Sequence, residues 1–163
     1  MTRLLPVSWK PSMRRFLPGR PAEVDVPSLP RWFAAACLVV IVVRSLIHMF
    51  AADGGAHSIA TIDTSVAGGS NIIAIFGQWG AIQLLLALLL WTLLIRYRGL
   101  TALVLLTLLL EPFLRALAGH LKPIDTVGTA PGAALNWVVV PVLAVLLWMA
   151  LCPATASDAV EVG

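Results

Sequence analysis

Four long apolar runs organise the chain, at residues 32–50, 71–95, 100–119 and 133–151. None alternates polar and apolar positions at period two, the mark of a half-buried strand or a barrel wall. Each is close to the roughly 20 residues an α-helix needs to cross about 30 Å of hydrocarbon. The pattern predicts four membrane-crossing helices. The second is the most lipid-like, since Leu84 to Leu90 is leucine throughout except for Ala87. Turn signals punctuate the longest connection, 51–70, where Asp53-Gly54-Gly55 and Gly68-Gly69 stand near its two ends. Between them Ile59, Ile62 and Val66 recur at helical spacing and predict a short surface helix. Residues 1–31 carry Pro6, Pro11, Pro18, Pro21, Pro27 and Pro30 without a sustained apolar period. They predict an extended or disordered tail, partly lying on anionic lipid. No short apolar stretch with a small-residue cleavage site follows its basic start, so it does not read as a signal peptide.

Composition sharpens the class. Of 163 residues, 60% are hydrophobic and 12% charged, against about 45–50% and about 25% in a typical soluble domain. The expected fold class is all-α, an integral membrane four-helix bundle with both termini cytoplasmic. The expected division is a basic Pro-rich tail (1–31), a transmembrane domain (32–152) and a short C-terminal tail (153–163).

Charge fixes the expected orientation. Arg3, Lys10, Arg14, Arg15, Arg20 and Arg31 precede the first run, and Arg96 and Arg98 fill the tight link between runs two and three. The connection after run one carries Asp53 and Asp63 and no Lys or Arg, and that after run three carries only Lys122 as a base. The positive-inside rule then puts both termini and the link at 96–99 in the cytoplasm. A basic flank of this kind serves orientation, and no nucleic-acid partner is expected. Trp32, Trp91, Tyr97 and Trp148 would form an inner aromatic belt, with Trp79 and Trp137 toward the outer side. Cys37 and Cys152 are distant, form no CxxC pair and face a reducing compartment, so they read as small buried side chains.

Polar residues inside apolar runs carry the functional signal. Arg44, His48, Gln78, Gln83, Glu111 and Arg115 all lie in such runs, and an ionisable group in a bilayer is costly enough that it usually faces a bundle interior or cavity. With a helical rise of about 1.5 Å per residue, Arg44, Gln83 and Glu111 lie roughly 16–18 Å from the cytoplasmic ends of their helices. His48, Gln78 and Arg115 lie roughly 22–26 Å from those ends. Asn71, His120 and Asn136 add polar groups at the outer edge. The matched depths predict one polar pocket in the outer half. Arg44 and His48 share a face, as do Glu111 and Arg115, whose acid-then-base order favours an ion pair. Gln78 and Gln83 are five apart, so an ideal helix cannot aim both inward. Pro112 should free the carbonyl of Leu108, and Pro141 that of Trp137.

Chemistry beyond binding has little to start from. No GxSxG, P-loop, GxGxxG or HExxH pattern occurs, no catalytic residue is named, and a non-enzymatic function is the leading reading. His48, Asp53, His57, Asp63 and His120 match no metal-ligand spacing, and a haem held by His48 and His120 has no further support. No metal and no cofactor is assigned.

The stretch 71–88, with Phe76-Gly77-Gln78-Trp79-Gly80 at its centre, leads to the basic link Arg96-Tyr97-Arg98-Gly99. The third run then ends Glu111-Pro112-Phe113-Leu114-Arg115-Ala116-Leu117-Ala118-Gly119. These features resemble the DoxX-like group of small four-span bacterial membrane proteins over runs two to four. The resemblance implies a four-helix protein of the bacterial inner (plasma) membrane and, through some members, a link to membrane redox complexes. The tail and the connection 51–70 lie outside it. Small multidrug transporters share the span number but carry their essential Glu in the first span, where this chain has Arg44. The expected partners are the lipid bilayer, a membrane protein or a second copy of the chain, and a small polar or anionic ligand held by Arg44, His48, Gln78, Gln83, Glu111 and Arg115. The alternative is a redox accessory protein or a small-solute transporter.

Overall fold

The computed structural model describes residues 3–130 and 132–156, without the side chains of 132–134 and 136. Asn136 and most of the expected C-terminal tail therefore lie outside the described parts. Four helices make up the described chain: α1 (Ser28–Phe50), α2 (Gly69–Arg96), α3 (Thr101–Leu121) and α4 (Gly132–Ala150). Among the described residues, strand pairing is limited to an isolated bridge between Ile62 and Thr126. Helix ends fall within a few residues of the apolar runs. The largest difference is α1, which begins at Ser28 rather than at residue 32. Pro30 allows this, because a proline in the first turn gives up only an N–H that has no helical partner there.

Three helical stretches are long and apolar enough to cross a membrane: Ser28–Phe50, Gly69–Arg96 and Arg98–Leu121. The described apolar run of α4, Trp137–Ala150, is shorter. Val43, Ile82, Leu85, Leu89, Leu114 and Val145 stand exposed along the helices. A soluble monomer rarely leaves so continuous an apolar surface uncovered. Length and surface together are those of a membrane protein.

Backbone hydrogen bonds show that the helices run back and forth between two ends. At one, the tail end, the N–H of Val7 donates to the carbonyl of Pro153 (2.9 Å), that of Ser12 to Leu151 (3.0 Å) and that of Gly99 to Pro21 (2.8 Å). The N-terminal segment thus touches the exit of α4 and the α2–α3 link. At the other, the loop end, the N–H of Val127 donates to the carbonyl of Thr61 (2.9 Å).

Two expectations are corrected here. The N-terminal segment is an ordered cap and not an extended or disordered tail. Pro6, Val26, Pro27 and Pro30 are buried, Arg15 is buried and donates to the carbonyl of Asp25, and Arg98 pairs with Asp25 at 3.4 Å. Gly99 permits the close approach: a Cβ there would stand 2.7 Å from the Pro21 carbonyl oxygen. The connection 51–70 contains no surface helix between Ile59 and Val66. It is a chain of turns with Gly54, Gly55 and Thr61 at positive φ (58°, 71° and 57°). Ile62 is buried and paired with Thr126, while Val66 is exposed. Pairing with the α3–α4 connection overrides the local helical spacing.

The core lies between inward stripes of helical period. On α1 the buried positions are Pro30, Ala34, Leu38, Ser45 and His48; on α2 they include Gly80, Ala87, Leu90 and Leu94. Ala102, Val104, Leu105 and Leu108 of α3 and Leu143, Leu146 and Met149 of α4 complete it. Helices α1 and α2 approach closely at Gly80, where a Cβ would lie 2.7 Å from the Cβ of His48 and 2.8 Å from the carbonyl oxygen of Ser45. Small residues at such crossings let backbones approach where apolar burial alone cannot drive association.

Candidate functional site

Three stripes carry the charged residues into one cleft. Cys37, Ile41 and Arg44 recur at i, i+4 and i+7 on α1. Leu108, Glu111, Pro112 and Arg115 recur at i, i+3, i+4 and i+7 on α3. Leu135, Val139 and Leu143 follow at i, i+4 and i+8 on α4. With Val40 they line a half-open cleft of about 230 Å³. Among the described residues its walls are apolar except for Arg44, Glu111 and Arg115.

Glu111 is the hub. Its Oε2 accepts a hydrogen bond from Arg115 Nη2 at 2.8 Å, one turn along the same helix. Its Oε1 lies 3.6 Å from Arg44 Nη2. The expected ion pair is present on both sides. All three side chains are only partly exposed, at 26%, 36% and 34% for Arg44, Glu111 and Arg115. Glu111 is the sole acidic residue within the four helices, so two guanidiniums meet one carboxylate and one positive charge is left over. The Nε of Arg44 is buried with no hydrogen-bond partner among the described residues.

A second, smaller cavity of about 40 Å³ lies behind the ion pair, lined by Ile41, Arg44, Gln83, Leu86, Ala87, Leu90, Thr107, Leu108 and Glu111. The Oε1 of Gln83 is buried and unpartnered among the described residues. Arg44, Gln83 and Glu111 line the same cavity, as their matched depths predict.

His48 sits beside the cluster and lines neither cavity. It is 3% exposed, its Nδ1–H donates to the carbonyl of Gly54 at 2.7 Å, and its ring lies 4.9 Å from Trp79 and 5.4 Å from Phe76. Trp79 is the link that sequence reasoning missed: the guanidinium of Arg44 stands 5.7 Å from its ring centroid. Tryptophan near a helix end reads as a belt residue, but this one turns inward, between an imidazole and a cation. Its position four residues before Gln83 was the available signal. Gln78 is exposed and lines neither cavity, so of the two glutamines only Gln83 joins the cluster. Asn71 and His120 are exposed at the loop end.

The loop end is braced by its own acids. Asp53 accepts hydrogen bonds from the N–H groups of Ser58 (2.7 Å) and Gly55 (2.9 Å). These hold its carboxyl down at about 2. Asp63 is likewise lowered, by the hydroxyl and N–H of Ser65. Among the described residues, no three His, Cys, Asp or Glu side chains gather to hold a metal ion. His57 faces the carbonyl of Ile62 at 3.3 Å.

The arrangement offers positive charge, a hydrogen-bonding fork and apolar walls. It offers no nucleophile with an adjacent base among the described residues. No protein-family model, curated protein or solved structure matches the chain.

Proposed function

We propose that this is an integral membrane protein whose four helices form a transmembrane bundle, and that it binds a small anionic ligand at Arg44, Glu111 and Arg115. The observation that carries the reading is the pair of guanidiniums sharing one carboxylate at the polar end of the α1–α3–α4 cleft. An uncompensated positive charge at that depth is costly, and a bound anion relieves it. Arginine forks are suited to carboxylate and phosphate groups. Gln83, which lines the smaller cavity together with Arg44 and Glu111, backs the pair from the α2 side.

Both termini are placed on the cytoplasmic face of a bacterial inner membrane. The support is the basic N-terminal segment and the basic α2–α3 link, which lie together at the tail end. A relationship to the DoxX-like group rests on the sequence resemblance over runs two to four.

Purification in mild detergent, followed by mass spectrometry of everything retained, tests the reading. The expected result is a small organic anion retained by the native chain and lost from Arg115→Gln at equal protein recovery. A stoichiometric partner protein with no small anion would make the chain a subunit of a membrane complex. A Soret band or bound quinone would indicate a redox accessory, and solute uptake in proteoliposomes a transporter.

A further inference from the structure

The cleft that holds the charged trio opens between α1 and α4, and its mouth is apolar. Val40 and Leu135, on facing helices at the rim, are 66% and 61% exposed. Cys37, Ile41, Val139 and Leu143 continue the apolar lining toward the core. A hydrated solute arriving from water would have to shed its shell against this rim with nothing polar among the described residues to replace it. A molecule already dissolved in the bilayer would not. Arg44, Glu111 and Arg115 are the polar groups along the cleft, and they carry one excess positive charge. The geometry points to a single-chain lipophilic carboxylate, of the fatty-acid class, as the ligand: its chain lies along Val40, Val139 and Leu143 and its head sits on the Arg44–Arg115 forks. It reaches the site sideways through the bilayer.

This inference rests on the anion-binding reading and narrows it. Binding is not a bond-making step: the carboxylate exchanges solvent or lipid-surface partners for guanidinium N–H donors, and Glu111 shares the two arginines with it. The half-open cleft, about 230 Å³, takes a carboxylate head and the first part of one chain, whose remainder extends through the open side.

The test uses the full-length chain in nanodiscs of neutral phosphatidylcholine. Four probes are compared by native mass spectrometry and by competition against radiolabelled hexadecanoate. They are hexadecanoate, butyrate, the uncharged monoacylglycerol of the same chain, and phosphatidylglycerol. The expected result is one saturable hexadecanoate per chain, displaced at least about tenfold less well by the other three: the monoacylglycerol lacks the charge-assisted hydrogen bond, butyrate lacks the apolar chain, and phosphatidylglycerol brings a second tail and a larger head. Val40→Trp, at an exposed rim position, should weaken hexadecanoate by a similar factor while leaving the unfolding temperature unchanged. Arg115→Gln should do so through the head. If butyrate binds as tightly as hexadecanoate and Val40→Trp has no effect, the lipophilic class is wrong while the anion site stands. Preference for phosphatidylglycerol would replace the single-chain ligand with a membrane lipid. If the monoacylglycerol binds equally well, or none of the probes binds, the anion-binding reading itself is overturned.

Discussion

Arg115 Nη2 stands 2.8 Å from Oε2 of Glu111, closer than Arg44 comes to the other oxygen at 3.6 Å. The intrahelical pair is the firmer one, and the contact across to α1 is the looser. An anion entering the cleft would therefore compete first for Arg44. That side also carries the unpartnered Nε and the stacking on Trp79, so the arginine with spare capacity is the one held in place from behind.

The α1–α2 contact at Gly80 should be sensitive to added volume. Gly80→Val places its Cβ against His48 and the Ser45 carbonyl and should lower stability by at least about 1–3 kcal/mol, as overpacked sites do. Gly119, where an added Cβ would meet nothing within 4 Å, is the matched control. Gly119→Ala should be neutral or stabilising by up to about 1 kcal/mol through helix propensity. Unfolding in detergent compares the two; equal effects would mean that α1 and α2 do not meet at Gly80.

His48 should act as a pin for the loop end. His48→Phe keeps an aromatic ring beside Phe76 and Trp79 but removes the donor to Gly54. The cost should be about 1 kcal/mol or slightly more, since a buried carbonyl is left unpaired. Hydrogen exchange should quicken across 53–62 while the core stripe of α3 stays protected. Unchanged exchange there would show that the loop is held by other contacts.

Asp53 makes stability pH-dependent in a defined direction. Its carboxyl is depressed from 3.8 to about 2 by the Ser58 and Gly55 amides. A depressed folded-state value contributes stability that is fully present above about 4 and is lost as pH falls toward 2. The gap in stability between the native chain and Asp53→Asn should accordingly be widest above about pH 4 and close as pH approaches 2. The carboxylate is largely solvent-exposed, so the gap should be small. Its side-chain carbon shift, followed by NMR, should titrate near 2; a midpoint close to the ordinary carboxylate value would mean the two amides do not bind it.

Orientation can be read at the exposed Ser58. In a background of Cys37→Ala and Cys152→Ala, Ser58→Cys should react with an impermeant thiol reagent added to intact cells with the outer membrane opened. Labelling only after the inner membrane is broken would reverse the proposed topology.

The helices were legible because apolar runs of membrane length are a strong one-dimensional signal. The charged site was partly legible, since depth along a helix is a count of residues: Arg44, Gln83 and Glu111 do line one cavity. Rotation about the helix axis was harder to read. Gln78 faces away from both cavities, and Trp79, one residue on, turns toward the site. The N-terminal cap was missed because proline-rich composition reads as disorder, whereas its order comes from distant partners, Val7 with Pro153 and Ser12 with Leu151. The turn chain of the loop end was missed for the same reason, its register being set by Thr126 and Gly128 across the chain.

The most direct test of the central claim is Glu111→Gln, assayed for carboxylate affinity and unfolding temperature together. The change keeps shape and hydrogen bonding and removes the charge that competes with a bound anion. If the trio is an anion site, carboxylate affinity should rise about fivefold or more. With the carboxylate present, the unfolding temperature should match that of the native chain, because the ligand replaces the lost charge. If the trio is only a buried network, the variant should express poorly and unfold at lower temperature with or without carboxylate, at unchanged affinity. That second outcome would contradict the account.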